Sequence, residues 1–425
     1  MSTTAGQADA SDSPVTMNPA EADALLESVI FDDEGRQDPV PVYRRLHAES
    51  PWWHSTYGMT VVSRYDDALA TLRNPRWGRP EPGMDLPAPF GQPPGRVRVV
   101  QPSRTMLLLN PPDHTRIRGL VSRAFTPRRV DDLRPRIAAL LDPILDAAAQ
   151  RGSIELMAEL AVPFPVAVIS ELMGVPHDET GRFVSLVRDT TAFIDAAADG
   201  EAIERATTSA MELAGYFVGL IEEKRRTPDD GLLSALIEVE AEGDRLDLEE
   251  LVSNTMLLYA AGFETTSNLI GNGVWALLRH PDQLDRLRAD RSLLPSAVWE
   301  VLRYDSPVQL NARTALGDDE CFGEPVERGT QVMVLQGAAN HDATVYTDPD
   351  RFDVGRFVAS DVAPPLSFGF GAHHCLGAHL ARAEGEIVFA ELLRRFEHWE
   401  LDGPTPRYRP SFTLRGLDSM HVALA

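Results

Sequence analysis

Lysine is nearly absent from this sequence. Lys224 is the only one, so the other 39 of the 40 basic residues are arginine. A lysine Schiff base or a phosphate-loop lysine needs that side chain in a particular setting. Lys224 stands instead in a charged Glu-Glu-Lys-Arg-Arg stretch, which excludes both chemistries. Cysteine is almost as scarce, with Cys321 and Cys375 the only two among 425 residues. Two thiols cannot hold a four-thiolate iron–sulfur cluster, a four-cysteine zinc site or a disulfide framework. Positive charge is also in deficit: 64 acidic against 40 basic side chains leaves −24. That balance argues against general nucleic-acid binding or attachment to anionic lipid through net charge. Residues 1–35 carry no Lys or Arg at all. A secretory signal needs a basic start and an apolar stretch, and a transit peptide needs arginines, so residues 1–19 read as a disordered or loosely attached leader. The expected location is the cytoplasm.

What is present points to a globular protein, with 43% hydrophobic and 24% charged residues. The most apolar stretch, 251–278, contains one charge, Glu264, but also Ser253, Asn254, Thr255, Asn268 and Asn272. It is therefore a poor membrane span and reads as a long buried helix. Asp247 can cap its start, Glu250 completes a capping-box pattern, and Arg279-His280-Pro281 closes it. At 1.5 Å per residue such a helix is about 42 Å long, the width of a domain, so residues 20–425 are expected to form one domain around it. Helical patterns at 130–150 and 157–172 and strand-like runs at 52–62, 310–314, 331–336 and 421–425 complete a mainly α chain with small β-sheets, an α+β class. Residues 74–113 hold 10 of the 32 prolines. A loop of that length is expected to act as a lid.

Cys375 lies in Phe-Gly-Phe-Gly-Ala-His-His-Cys-Leu-Gly, residues 368–377, followed by a helical pattern. Glycines there free backbone amides to point inward, and the positive helix end favours an anionic sulfur. Taken alone, the residues also fit an inert buried cysteine or a catalytic Cys–His pair. The run resembles the haem-binding loop of the cytochrome P450 family at every fixed position (Phe-Gly-x-Gly-x-His-x-Cys-x-Gly). The resemblance implies that Cys375 is the axial ligand of haem b, that Phe368 packs near the sulfur, that Gly369 is among the cofactor-binding residues, and that His373 reaches a haem propionate. It also implies a single-domain fold of that family, with the haem buried between the long central helix and the cysteine loop.

Three other places agree with it. Ala261-Gly262-Phe263-Glu264-Thr265-Thr266 puts an acid beside a hydroxyl mid-helix, where a buried carboxyl is costly unless it is satisfied or relays protons. It resembles the family's oxygen-binding segment, which implies Thr265 as the oxygen-activating alcohol, Glu264 as the acid, Gly262 leaving space over the haem, and Ala261 among the cofactor-binding residues. Glu300 and Arg303 share a helix face at i,i+3, and resemble the family's Glu-x-x-Arg structural pair, with Arg351 expected as third member. His114 and Arg118 are four apart on one face and correspond to propionate ligands, as does Arg313. The stretch 114–130 has five arginines and no acid. A solvated helix face explains that run equally well, while the resemblance places Arg116, Arg123, Arg128 and Arg129 on a docking surface for an acidic electron carrier.

The resemblance therefore implies a monooxygenase that activates O2 to hydroxylate or epoxidise a bulky, mostly apolar small molecule. The segment from Ala261 onward looks like members that tailor macrolides and polyketides. No Gly-x-Gly-x-x-Gly loop occurs, so electrons are expected from a ferredoxin and its NAD(P)H-dependent reductase, serving a monomer. By analogy, substrate contacts fall on Val99, Val100, Tyr259, Ala260, Phe263, Val308, Leu310 and Phe412. Oxidative coupling, desaturation or nitration on the same scaffold, or a non-catalytic haem sensor or carrier, are the alternative outcomes.

Overall fold

The computed structural model describes residues 16–88, 96–99, 104–176, 180–195, 198–239 and 244–425. Its axis is a helix from Leu248 to Arg279. The carboxylate of Asp247 accepts the Glu250 N–H at 2.8 Å while Glu250 accepts the Asp247 N–H at 3.2 Å, the reciprocal cap expected from the sequence. From Thr266 to Val274 every residue is buried; the central helix packs against Met157–Ala161, Leu294–Tyr304 and Ala378–Arg395, with Gly271 against Met157 and Gly273 against Phe389. Contact is close enough that a Cβ on Gly273 would lie 2.4 Å from the Phe389 ring. The other half is looser: Met256, Leu257, Leu258 and Ala260 are partly open and Ala261 is exposed.

Two expected helices are each broken in two. The 130–150 pattern is divided between Pro127–Ala139 and Asp142–Arg151, and the 157–172 pattern between a π turn, Met157–Ala161, and the helix Pro163–Met173. In both cases a proline, Pro143 or Pro163, sits in the first turn of the second piece, where its missing N–H is tolerated. The 52–62 run is a hairpin, Trp52–His54 and Thr60–Val62, turning at Gly58 with φ +84°. It joins Gln331–Val334, Asn311–Ala315 and Trp77–Gly78 in a five-stranded sheet, antiparallel except between Thr60–Val62 and Gln331–Val334. A second sheet brings Ser153–Glu155, His421–Leu424 and Trp399–Leu401 together.

Packing begins ahead of residue 20. Thr16 and Met17 donate to the Glu49 carbonyl, Met17 is buried, and Asn18 caps the helix Pro19–Ile30. The Pro-rich segment is anchored to the central helix. Arg104 Nη2 lies 2.6 Å from Glu250 Oε1, and the Met106 N–H donates to Asn254 Oδ1 at 2.9 Å. Among the described residues no helix is long and apolar enough to cross a membrane.

Candidate active site

The loop before the helix Ala378–Arg395 is held from behind. Gly369 and Gly371 take φ +65° and +72°, and a Cβ on Gly371 would stand 2.4 Å from the Leu72 carbonyl oxygen. That backbone is open to glycine and closed to larger residues. The Leu366 N–H donates to Asn340 Oδ1 at 2.8 Å, and the Phe368 ring meets Trp299 edge-on at 5.7 Å. The Cys375 N–H donates to the Phe368 carbonyl at 2.9 Å, which turns the sulfur outward. The residue is exposed, yet enough protein surrounds the thiol that burial raises its pKa. The N–H groups of Gly377 and Ala378 and the Arg118 guanidinium pull it partway back.

Beside this loop lies a cluster of basic side chains with no acid among them. The rings of His114 and His373 meet at a tilt of 47° with centroids 4.4 Å apart, and Arg118 Nη2 donates to the His374 carbonyl at 2.6 Å. Arg313 is 1% exposed, and among the described residues its guanidinium bonds Asn311 Oδ1 and the Ala312 carbonyl. Arg79, which the motif reading did not single out, reaches the same two acceptors at 3.4 and 3.1 Å. Burial first, then Arg79, His114, Arg313 and Arg118, push the His373 pKa down to about 2. Burial, then Arg118 and Arg79, lower that of His114. Both ring nitrogens of His114, Arg79 Nε and Arg313 Nη2 are buried with no hydrogen-bond partner. Buried donors without partners are costly, so the cluster is built to receive an anion.

On the central helix, Thr265 Oγ1 donates to the Ala261 carbonyl at 2.8 Å, a back-bond to the residue four earlier. Glu264 does not point to Thr265. It is 2% exposed and its carboxylate is paired with Arg409, which also holds Asn268 Oδ1 at 2.9 Å, and lies 3.5 Å from Arg188 Nε. Both arginines come from segments distant in sequence, and no local pattern announces them.

Several expected positions are corrected. Arg351 is not the third member of the Glu300 set: the residue is exposed, and its hydrogen bonds run through its backbone N–H and carbonyl. Arg356 takes that place, with Nε 3.0 Å from Glu300 Oε2. Arg116 is withdrawn from any docking face, because it pairs with Glu250 and Asp244 at the start of the central helix. Arg123 and Arg128 are exposed, and Arg129 donates to the Asp230 carbonyl. Tyr259 and Phe263 are 1% and 0% exposed, so neither faces open space. The Tyr259 hydroxyl bonds Ser170 Oγ at 2.9 Å among the rings of Phe183 and Phe217. Phe412 is buried in the core around Tyr43 and Trp53, and Leu310 packs against that core. Val308 forms a β-bridge with Leu414, Val99 bonds Met84 and Gly83 through its backbone, and Val100 lies outside the described residues. Ala260, Ala261, Gly262 and Thr265 keep partial or full exposure on the open half of the helix.

Among the described residues no group of three or more His, Cys, Asp or Glu is placed to hold a metal ion. A metal at Cys375 would have to bring its other ligands with it, as haem does. The comparisons with known proteins bear on that point. The family model described as Cytochrome P450 matches residues 95–417. Cytochrome P450 107B1 of Saccharopolyspora erythraea is 40% identical over 395 residues, spanning 91% of this chain and 92% of the relative. The vitamin D(3) 25-hydroxylase of Pseudonocardia autotrophica is 40% identical over 402 residues, spanning 91% and 94%. Among solved structures, P450BioI in complex with hexadec-9Z-enoic acid ligated acyl carrier protein superposes with a TM-score of 0.83 at 33% identity, over 92% of this chain and 99% of that one. The bacillaene polyketide synthase cytochrome P450 PksS of Bacillus subtilis 168 gives 0.81 at 33% identity, over 92% and 98%.

Proposed function

The chain belongs to the cytochrome P450 family, monooxygenases that bind haem through a cysteine thiolate, and on that premise we propose that Cys375 is the haem ligand of an enzyme that hydroxylates or epoxidises a bulky, mostly apolar secondary metabolite. The observation that carries this reading is the acid-free cluster of His114, Arg118, Arg313 and His373 beside the outward-facing Cys375. Its unpaired donors fit the two propionates of haem, and the exposed sulfur fits its iron. Haem supplies the binding and reductive activation of O2. The substrate class is supported by two of the relatives and neighbours, one named for hydroxylating vitamin D(3) and one for bacillaene synthesis. Macrolides and other polyketides share that size and apolar character.

The chain's own part is to bind, exclude water and deliver protons. Cys375 gives a sulfur ligand whose charge is stabilised by the Gly377 and Ala378 N–H groups and Arg118. Thr265 holds its hydroxyl at a fixed place by donating to Ala261, and presents Oγ1 as the last proton-bearing atom before the open space. Glu264 hands protons on to that hydroxyl by turning away from Arg409 and Arg188. With Thr265→Ala the consumption of NAD(P)H is expected to continue while most of it drains into hydrogen peroxide. Coupling to product should drop about tenfold or more, against the roughly 10²–10⁴-fold that a positioned proton-transfer group typically contributes to rate. Coupling at the wild-type level would remove Thr265 from the relay. Compounds that shift the haem spin state in a library screen would identify the substrate.

Bacterial members of this family draw electrons from partners such as ferredoxin. For this chain, in the cytoplasm, a ferredoxin and its NAD(P)H-dependent reductase fit best, docking over the exposed Arg123 and Arg128 with Arg129 at the edge. Reversing charge in Arg123→Glu/Arg128→Glu should slow reduction by the ferredoxin several-fold at about 0.01 M salt, with the difference shrinking toward about 1 M as screening tightens. A salt-independent deficit would place the docking face elsewhere.

A further inference from the structure

Arg313 lies in the strand Asn311–Ala315, and Arg79 directly follows the neighbouring strand Trp77–Gly78. Trp77 pairs with Ala315 and Gly78 with Thr314 in antiparallel register. One more step along that register sets Arg79 opposite Arg313, on the same face of the sheet. Like charges directly opposite one another destabilise a sheet, and these two are also largely taken out of water. Burial lowers the Arg79 pKa to about 10, and burial with the Arg79 charge lowers that of Arg313 to about 9.

The arrangement is built rather than incidental. Asn110 clamps the Arg79 backbone from both sides, accepting its N–H at 2.7 Å and donating Nδ2 to its carbonyl at 2.7 Å. Gly78 leaves room for that clamp, since a Cβ there would lie 2.3 Å from Asn110 Oδ1. The two guanidiniums compete for the same acceptors, Asn311 Oδ1 and the Ala312 carbonyl, and keep Arg79 Nε and Arg313 Nη2 unpartnered. Among the described residues neither arginine has a carboxylate within ion-pair distance, although most arginines of the chain do. Two converging forks with free donors and no acid fit one bidentate carboxylate.

We infer that Arg79 is a haem-propionate-binding residue, forming with Arg313 a paired-guanidinium clasp that the cofactor's carboxylate closes. The inference rests on the haem-thiolate reading above and adds a residue that no motif contains. It makes the strand Trp77–Gly78, at the mouth of the Pro-rich segment, part of the cofactor's hold.

The test is a cycle between the protein and the cofactor, using holoprotein assembled with haem or with its propionate dimethyl ester. Transfer of the group to excess apo-globin is timed for the wild type and for Arg79→Gln. With haem, Arg79→Gln should release it about tenfold faster, the scale of one charge-assisted hydrogen bond. With the ester, which has no carboxylate to clasp, the two proteins should agree within about twofold. Equal acceleration with both cofactors would make Arg79 a structural residue and overturn the inference, as would no acceleration with either. Arg79→Lys, which keeps the charge and loses the fork, should fall between the two and carries the same cycle if the glutamine variant folds poorly. A wild type that lacks the thiolate-type spectrum in its reduced carbon monoxide complex would instead refute the haem-thiolate reading.

Discussion

With serine in place of Cys375, the reduced carbon monoxide complex is expected to lose its thiolate-specific absorption, and monooxygenase turnover to fall to background, a loss of several orders of magnitude. Serine is nearly isosteric and the loop does not depend on the sulfur for its shape: the backbone bond to Phe368, the Asn340 anchor and the positive-φ glycines all remain. The basic cluster is untouched as well, so haem should still bind and only its axial ligand should change. Cys321 offers no substitute, because burial, with Asp67 and Asp319, raises its thiol pKa to about 12. A reduced spectrum identical to the wild type would mean that another group ligates the iron.

The second large effect is expected at Glu300, whose carboxylate has no exposed surface. It accepts from Arg303 at 2.8 and 2.9 Å, from Arg356 Nε and from the Asp353 N–H at 2.9 Å. The two guanidiniums in turn donate to the carbonyls of Thr347, Asp348, Pro349, Arg351 and Asn340, so one carboxylate neutralises the hub that gathers the loop ahead of the cysteine. Glu300→Gln leaves the buried Arg303 and the half-buried Arg356 facing a neutral amide. The cost of breaking a buried pair is about 3–5 kcal/mol, a large share of the roughly 5–15 kcal/mol that holds a domain folded. Urea unfolding should show that loss, and the yield of haem-loaded protein should collapse. Arg351→Ala should cost no more than about 0.5 kcal/mol, since only its backbone is engaged. A comparable loss at Arg351 would restore it as the third member.

The contrast between Arg351 and Arg356 also marks how far the sequence could be read. Features fixed by contiguous residues were legible: the Asp247–Glu250 cap, the glycine-braced cysteine loop, and the i,i+4 pair of His114 and Arg118. Charge pairing across the chain was not. With 39 arginines available, nothing local tells that Arg409 and Arg188 hold Glu264, that Arg116 belongs to Glu250, or that Arg79 stands against Arg313. Those partners are set by register and helix packing. Tyr259 and Phe263 were misplaced for a related reason. A helix apolar nearly all round has no polar face to orient it, so its periodicity cannot say which side is open.

The all-round burial of residues 266–274 has a consequence for how the protein is made. The helices that cover this stretch include Leu294–Tyr304 and Ala378–Arg395, both synthesised after it. At about 5–20 residues per second, the interval between translation of Arg279 and Arg395 is roughly 6–23 s. Until that interval ends the most apolar segment of the chain is only partly covered, and the sheet strand Ser153–Glu155 waits longer still for its partner His421–Leu424. Such long-range closure delays folding to the end of synthesis. The nascent chain is then a natural client for chaperones, and its yield in a foreign host should depend on their supply more than on the stability of the finished enzyme.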